Sequence, residues 1–82
     1  MFSKRKESKA ISVSGIEYLI FRELNPSGTN YSYKVYKNIN GNFTRAGAAK
    51  TIFKRDIFSA IGIQPPHNAT TVTMGNIIWE NI

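Results

Sequence analysis

The chain has 82 residues, 41% of them hydrophobic and 20% charged, with a formal net charge of +6 and no cysteine. A chain of this length encloses one modest core without room for a two-domain cleft, and the lack of cysteine excludes disulfides and thiolate metal sites. Its longest apolar run, residues 18–21, is far shorter than the roughly 20 residues of a membrane-spanning helix, and no apolar stretch follows the basic N-terminus, so we expect a cytoplasmic domain without a membrane partner.

Residues 1–9 are polar and lack periodicity, which predicts a flexible basic arm ahead of a single α+β domain at residues 10–82. The basic residues of this arm are Lys4, Arg5, Lys6 and Lys9. Such a cluster either follows a phosphate backbone or is simply solvated, and the sequence does not distinguish the two.

Two strands are predicted next. Ser14-Gly15 separates the short run 10–13 from the aromatic and β-branched run 16–24, which is typical of a tight hairpin. The following segment, residues 25–30, contains Pro26 and Gly28 and has the composition of a turn.

A second hairpin is indicated by Asn40-Gly41, because both central positions of a type I′ turn need positive φ. It joins the alternating run 31–39 to a fourth strand at 42–46. If these two residues form the loop, Tyr36 lies opposite Arg45 and Asn38 lies opposite Phe43.

This register predicts two different sheet faces. The face that a helix covers is predicted to carry Tyr31, Tyr33, Val35, Ile39 and Ala46, whereas the opposite face carries a mixture unsuited to a core. The residues of that opposite face are Lys34, Tyr36, Asn38, Phe43 and Arg45. Aromatic rings with nearby cations suit stacking on bases beside phosphates. An ordinary cation–π pair or a protein interface is the alternative interpretation.

The apolar period changes to three and four residues between Ala48 and Ile61, which predicts one amphipathic helix that ends at Gly62. Lys50, Lys54 and Arg55 lie off the apolar stripe, either as phosphate-binding cations or as an ordinary solvated helix face.

The last segment is predicted to be a hairpin. Pro65-Pro66 prevents the helix from continuing, and Gly75-Asn76 separates the runs 70–74 and 77–81. The predicted fold is therefore a small antiparallel sheet with one helix packed on it, in the order ββββαββ. Three strands followed by a helix over roughly residues 16–61 resemble the arm-type DNA-binding domains of some integrases, from which the final hairpin departs.

Positive charge is concentrated in the middle of the chain. Between Leu24 and Arg55 there are six basic residues and no acid. A block of one sign attracts polyanions by releasing their counterions, so nucleic acid is the expected partner. A protein target is the alternative, and a surface that only aids solubility is the simplest explanation.

No catalytic constellation is present in the sequence. His67 is the single histidine, it stands in a loop without a nearby carboxylate, and the acids are scattered singly. We therefore expect no enzyme activity, no metal and no cofactor.

The leading hypothesis is a small accessory protein that binds nucleic acid, with DNA as the first candidate. One alternative is a phage- or mobile-element-type inhibitor or adaptor that binds a host nuclease or defence complex. Another is a structural protein that self-associates, for example as a dimer, through a strand edge and the apolar residues Ile77, Ile78, Trp79 and Ile82.

Overall fold

The computed structural model describes residues 5–82 and contains one sheet and two helical regions. Four antiparallel strands follow one another across the sheet in chain order. They are β1 (Lys6–Val13), β2 (Ile16–Leu24), β3 (Tyr31–Ile39) and β4 (Asn42–Arg45). The α+β class expected from the sequence is confirmed, and the four strands form a simple meander.

The first strand begins earlier than its composition suggests. Residues 6–9, which the sequence places in the basic arm, pair with residues 20–23 of β2. The nine-residue strand β2 offers backbone partners along its whole length, and polar side chains on alternate positions do not prevent that pairing. Lys4 lies outside the described residues.

The hairpin between β3 and β4 has the predicted register. Asn40 and Gly41 both have positive φ, at 52° and 87°, as a type I′ turn requires. Tyr36 therefore lies opposite Arg45, and Asn38 lies opposite Phe43. This pairing fixes the sheet face to which each side chain of β3 and β4 belongs.

The predicted helix is confirmed but is interrupted by a π-helical segment. It comprises α1 (Ala49–Ile52), the π-helical segment Phe53–Ile57 and α2 (Phe58–Ile61), and it ends at Gly62. A π-helical turn brings residues five apart onto one side. Phe53 and Phe58 are both fully buried, although α-helical spacing would leave Phe58 at the margin of the apolar stripe.

The predicted C-terminal hairpin is wrong, because Thr71–Glu80 forms a third helix, α3. Thr70 caps it by accepting a hydrogen bond from the backbone N–H of Thr73 at 3.1 Å. Gly75 lies inside the helix, where an added Cβ would come within 2.5 Å of the Tyr33 ring. Glycine at this position therefore allows close packing instead of a turn, and the order ββββαββ becomes four strands followed by helices.

The helices cover one face of the sheet, called the covered face below. Its buried strand residues are Tyr18, Ile20, Tyr33 and Val35, and they pack against Phe53, Ile57, Met74, Ile78 and Trp79 of the helices. Tyr31, Ala46, Ile77 and Ile82 are partly buried against the same cluster, whereas Ile39, predicted for this face, is 46% exposed beside the Asn40-Gly41 turn. The apolar C-terminal residues that suggested self-association are thus largely used in the core.

Candidate nucleic-acid interface

The other side of the sheet, called the open face below, carries the residues that alternate with the core positions of each strand. Lys34, Tyr36 and Asn38 of β3 lie on it with Phe43 and Arg45 of β4. The sequence groups these five side chains on one face, and the strand register confirms that grouping. Phe43 is 42% exposed.

Strand β2 adds two apolar side chains to the open face that the sequence analysis missed. Leu19 pairs with Tyr36, and Phe21 pairs with Lys34. Phe21 is 36% exposed, and its ring lies edge-on to Tyr36 with 5.2 Å between the centroids. In residues 16–24, apolar side chains occupy both odd-numbered and even-numbered positions. Only the pairing of this strand with β3 therefore identifies which side chains face outward.

The aromatic cluster of the open face consists of the rings of Phe21 and Tyr36. Tyr36 has a neighbour on each side. Phe21 contacts it from β2, and the guanidinium carbon of Arg45 lies 5.8 Å from its ring centroid on the β4 side. The predicted cross-strand cation–π pair is therefore present, although such exposed pairs contribute only about 0.5–1 kcal/mol. Arg45 is exposed and makes no ion pair among the described residues.

A shallow groove of about 250 Å³ lies beside the aromatic cluster. It is lined by Lys6, Phe21, Arg22, Glu23, Ser32, Lys34 and Tyr36. Two ammonium groups, a carboxylate, two hydroxyls and two aromatic rings thus line this groove, whereas the guanidinium of Arg22 lies against Tyr31 and Trp79. Lys6 reaches this groove because it belongs to β1, where its partner on β2 is Glu23.

Two acids also lie on the open face. Glu17 accepts a hydrogen bond from the side-chain amide of Asn38 at 3.3 Å. Glu23 lies opposite Lys6, yet the ion pairs within residues 5–82 are formed by other carboxylates, those of Glu7 and Asp56. The open face is consequently mixed in charge, with cations in modest excess.

The helix cations lie in the other layer of the molecule. Lys50, Lys54 and Arg55 are exposed, whereas the buried positions of their helix pack against the covered face. From the sequence, these cations and the sheet cations are expected to form one nucleic-acid-binding set. The fold instead separates them by the thickness of the sheet and the helical layer.

Arg55 also has a partner within the chain. Its guanidinium contacts the Asp56 carboxylate at 3.1 Å, and the Tyr18 hydroxyl donates to the same carboxylate at 3.2 Å. The hydrogen bonds from Arg55 and from Tyr18 lower the pKa of Asp56, while burial raises the pKa of Tyr18. The Tyr18–Asp56 hydrogen bond joins the helix to β2, and the exposed Arg55 guanidinium pairs with the same carboxylate.

Lys9, predicted to belong to the basic arm, is bound to the C-terminal end of α3. Its ammonium donates to the carbonyl oxygens of Trp79 and Ile82 at 3.0 and 3.3 Å and lies 4.9 Å from the centroid of a Trp79 ring. A cation at this position satisfies terminal carbonyl groups and interacts favourably with the helix dipole. Lys9 therefore stabilises the fold and is turned away from the open face.

Arg22 is a third cation with partners inside the chain. Its guanidinium lies 4.1 Å from the Tyr31 ring centroid and 4.3 Å from a Trp79 ring centroid, and it pairs with Glu7 at 2.7 Å. Rings and a carboxylate thus surround its charged group. The cations best placed for a ligand on the open face are Lys6, Lys34 and Arg45.

Within residues 5–82, no three His, Cys, Asp or Glu side chains come together as a metal-binding group. None of the helices described in that range is long and apolar enough to cross a membrane. Comparison with protein-family models, curated proteins and solved structures finds no match to this chain.

Proposed function

We propose that this protein binds single-stranded nucleic acid through the open face of its sheet and has no catalytic activity of its own. The observation that carries the proposal is a set of three aromatic side chains on the open face, with Phe21 against Tyr36 and Phe43 exposed on β4, and with Lys34 and Arg45 on the same face. Exposed rings offer stacking surfaces to bases, and the neighbouring cations neutralise phosphates.

The width of the face favours a single strand over a duplex. Strands about 4.8 Å apart place β1 and β4 roughly 14 Å from each other, which exceeds the ~12 Å width of the DNA major groove. A duplex also hides the faces of its bases within the stack. A single strand exposes those faces to rings such as Phe43, which is 42% exposed.

The number of available cations gives an expected salt dependence. If Lys6, Lys34 and Arg45 each contact one phosphate, the slope of log K against log salt concentration is about −2 for a single strand. Recruitment of Lys50 and Lys54 from the helix as well would make the slope about −3.5. The slope therefore separates binding by the open face alone from binding by both layers.

Fluorescence anisotropy with labelled single-stranded DNA, single-stranded RNA and duplex DNA at several salt concentrations tests the proposal. We expect the single strands to bind more tightly than the duplex, with a slope near −2. Arg45→Glu should weaken binding at least tenfold, because it reverses a charge beside Tyr36. The lack of single-strand binding at 50 mM salt would refute the proposal.

A protein inhibitor or adaptor of a host nuclease or defence complex is the second candidate function. It is favoured by the mixed charge of the open face, where Glu17 and Glu23 lie among exposed aromatic residues. Aromatic residues beside arginine are frequent at the energetic centres of protein interfaces. Capture of a defined host nuclease from nuclease-treated extract by the wild type, and not by Phe43→Ala, would favour this function.

A further inference from the structure

Glu23 is the unexpected residue of the groove. A carboxylate repels phosphates, so it should weaken a site for a polyanion unless it accepts hydrogen bonds from the ligand. An ion pair with Lys6 would be a simpler reason for a glutamate at this position, since Lys6 and Glu23 are directly opposite on β1 and β2. However, the Lys6 ammonium does not come within 4 Å of the Glu23 carboxylate, and Glu23 accepts no side-chain hydrogen bond from the described residues.

The groove places this carboxylate next to a stacking surface. Phe21 and Glu23 are two positions apart on the same face of β2, which separates them by about 6.6 Å along the strand. A base stacked on Phe21 would therefore lie within reach of the Glu23 carboxylate. Lys34, the cross-strand partner of Phe21, lies beside the same base position.

We propose that the groove selects guanine, with Glu23 as the residue that reads the base. This inference rests on the proposed function, because it presumes a single strand on the open face. On its Watson–Crick edge guanine presents two adjacent donors, N1–H and N2–H₂, and an ionised carboxylate accepts both. Adenine, cytosine, thymine and uracil have one donor group on that edge.

Lys34 adds to the same selectivity. Its ammonium has three donors and no acceptor, so beside a phosphate contact it can also donate to O6 of guanine, the acceptor that adjoins the two donors. A carboxylate and an ammonium on one groove thus match the order of donors and acceptors along the guanine edge. An unlike base would leave the carboxylate with fewer hydrogen bonds after desolvation, which disfavours it.

The test uses thymidine nine-mers with a single central guanine, adenine or cytosine, measured by anisotropy at 50 mM salt. The wild type should bind the guanine oligonucleotide roughly tenfold more tightly than the other two, as one bidentate contact permits. Glu23→Gln should abolish this preference, because the amide retains only one acceptor oxygen. Circular dichroism would verify that the variant is folded.

Glu17→Gln is the matched control. It makes the same change of charge on the same face, but Glu17 does not line the groove. It should strengthen binding of all three oligonucleotides alike and preserve the guanine preference. Equal binding of the three bases by the wild type, or a preference that survives Glu23→Gln, would overturn the inference while leaving the proposed function intact. Absence of binding by every oligonucleotide would instead refute the proposed function itself.

Discussion

The two faces of this sheet are built from the same four strands and differ in how their charged and aromatic side chains are used. On the covered face, Lys9 binds the end of α3 and Arg22 is held by rings and Glu7. On the open face, Lys34 makes no side-chain hydrogen bond among the described residues, and Phe43 is 42% exposed. Cations that are close in the sequence can thus be held by contacts within the chain or left open to solvent, depending on which face of the sheet their strand position places them.

The largest expected effect is on the free energy of unfolding, and it distinguishes a phenylalanine of the core from a phenylalanine of the open face. Phe53→Ala removes a fully buried ring from the core and should lower the free energy of unfolding by about 3–5 kcal/mol. Phe43→Ala removes an exposed ring and should change it by less than about 0.5 kcal/mol, while weakening oligonucleotide binding. Urea denaturation measures both. Similar losses of stability in the two variants would contradict the assignment of the faces.

Gly75→Ala tests why the C-terminal segment is a helix on the covered face. The new methyl group would overlap the Tyr33 ring, so the variant should lose about 1–3 kcal/mol of stability despite the better helix propensity of alanine. Ser59→Ala, at an exposed helix position, is the control and should have little effect. A stabilised Gly75→Ala variant would mean that α3 does not pack closely on Tyr33.

Lys6 and Lys9 allow the two faces to be compared within one strand. Lys9→Met removes the hydrogen bonds to the carbonyls of Trp79 and Ile82 and should cost about 1 kcal/mol of stability without changing oligonucleotide affinity. Lys6→Met should weaken oligonucleotide binding with little effect on stability, because Lys6 lines the groove on the open face. Thermal denaturation and anisotropy on the same samples decide this, and loss of binding in Lys9→Met would contradict it.

The smallest effect concerns the contact of Asp56 with Arg55 and Tyr18. Because the folded state lowers the pKa of Asp56, its ionised form stabilises the protein at neutral pH, and this contribution disappears as the pH falls below about 4. Asp56→Asn should therefore be less stable than the wild type at pH 7, by under about 0.5 kcal/mol, and no less stable at pH 3. Denaturant midpoints at the two pH values measure this difference in stability. A loss of stability in Asp56→Asn that is larger at pH 3 than at pH 7 would contradict the expectation.

The parts of the fold that could be predicted are those with strong local signals. Asn40-Gly41 determines both a turn type and a register, so the positions of Tyr36 and Arg45 on the open face followed from two residues. The loop at 25–30 is longer and carries no such information about register. This is why Phe21 and Leu19 of β2 could not be assigned to the open face from the sequence.

The C-terminal helix could not be predicted because its decisive contact is distant in sequence. Gly75-Asn76 has the composition of a turn, but Gly75 accommodates the Tyr33 ring and Asn76 accepts a hydrogen bond from the Tyr33 hydroxyl. Lys9 was assigned to an arm for the same reason, since its partners are the carbonyls of residues about 70 positions later. Tertiary contacts of this kind override local composition.

The most direct test of the central claim follows the methyl groups of Leu19 and Ile20 by NMR during titration with a single-stranded oligonucleotide. These adjacent residues point to opposite faces: Leu19 pairs with Tyr36 on the open face, whereas Ile20 is buried in the core at 1% exposure. The account predicts large shifts for the Leu19 methyls and the Phe21 ring, with little change at Ile20. Shifts confined to the helix around Lys50 and Lys54, with Leu19 unaffected, would contradict it.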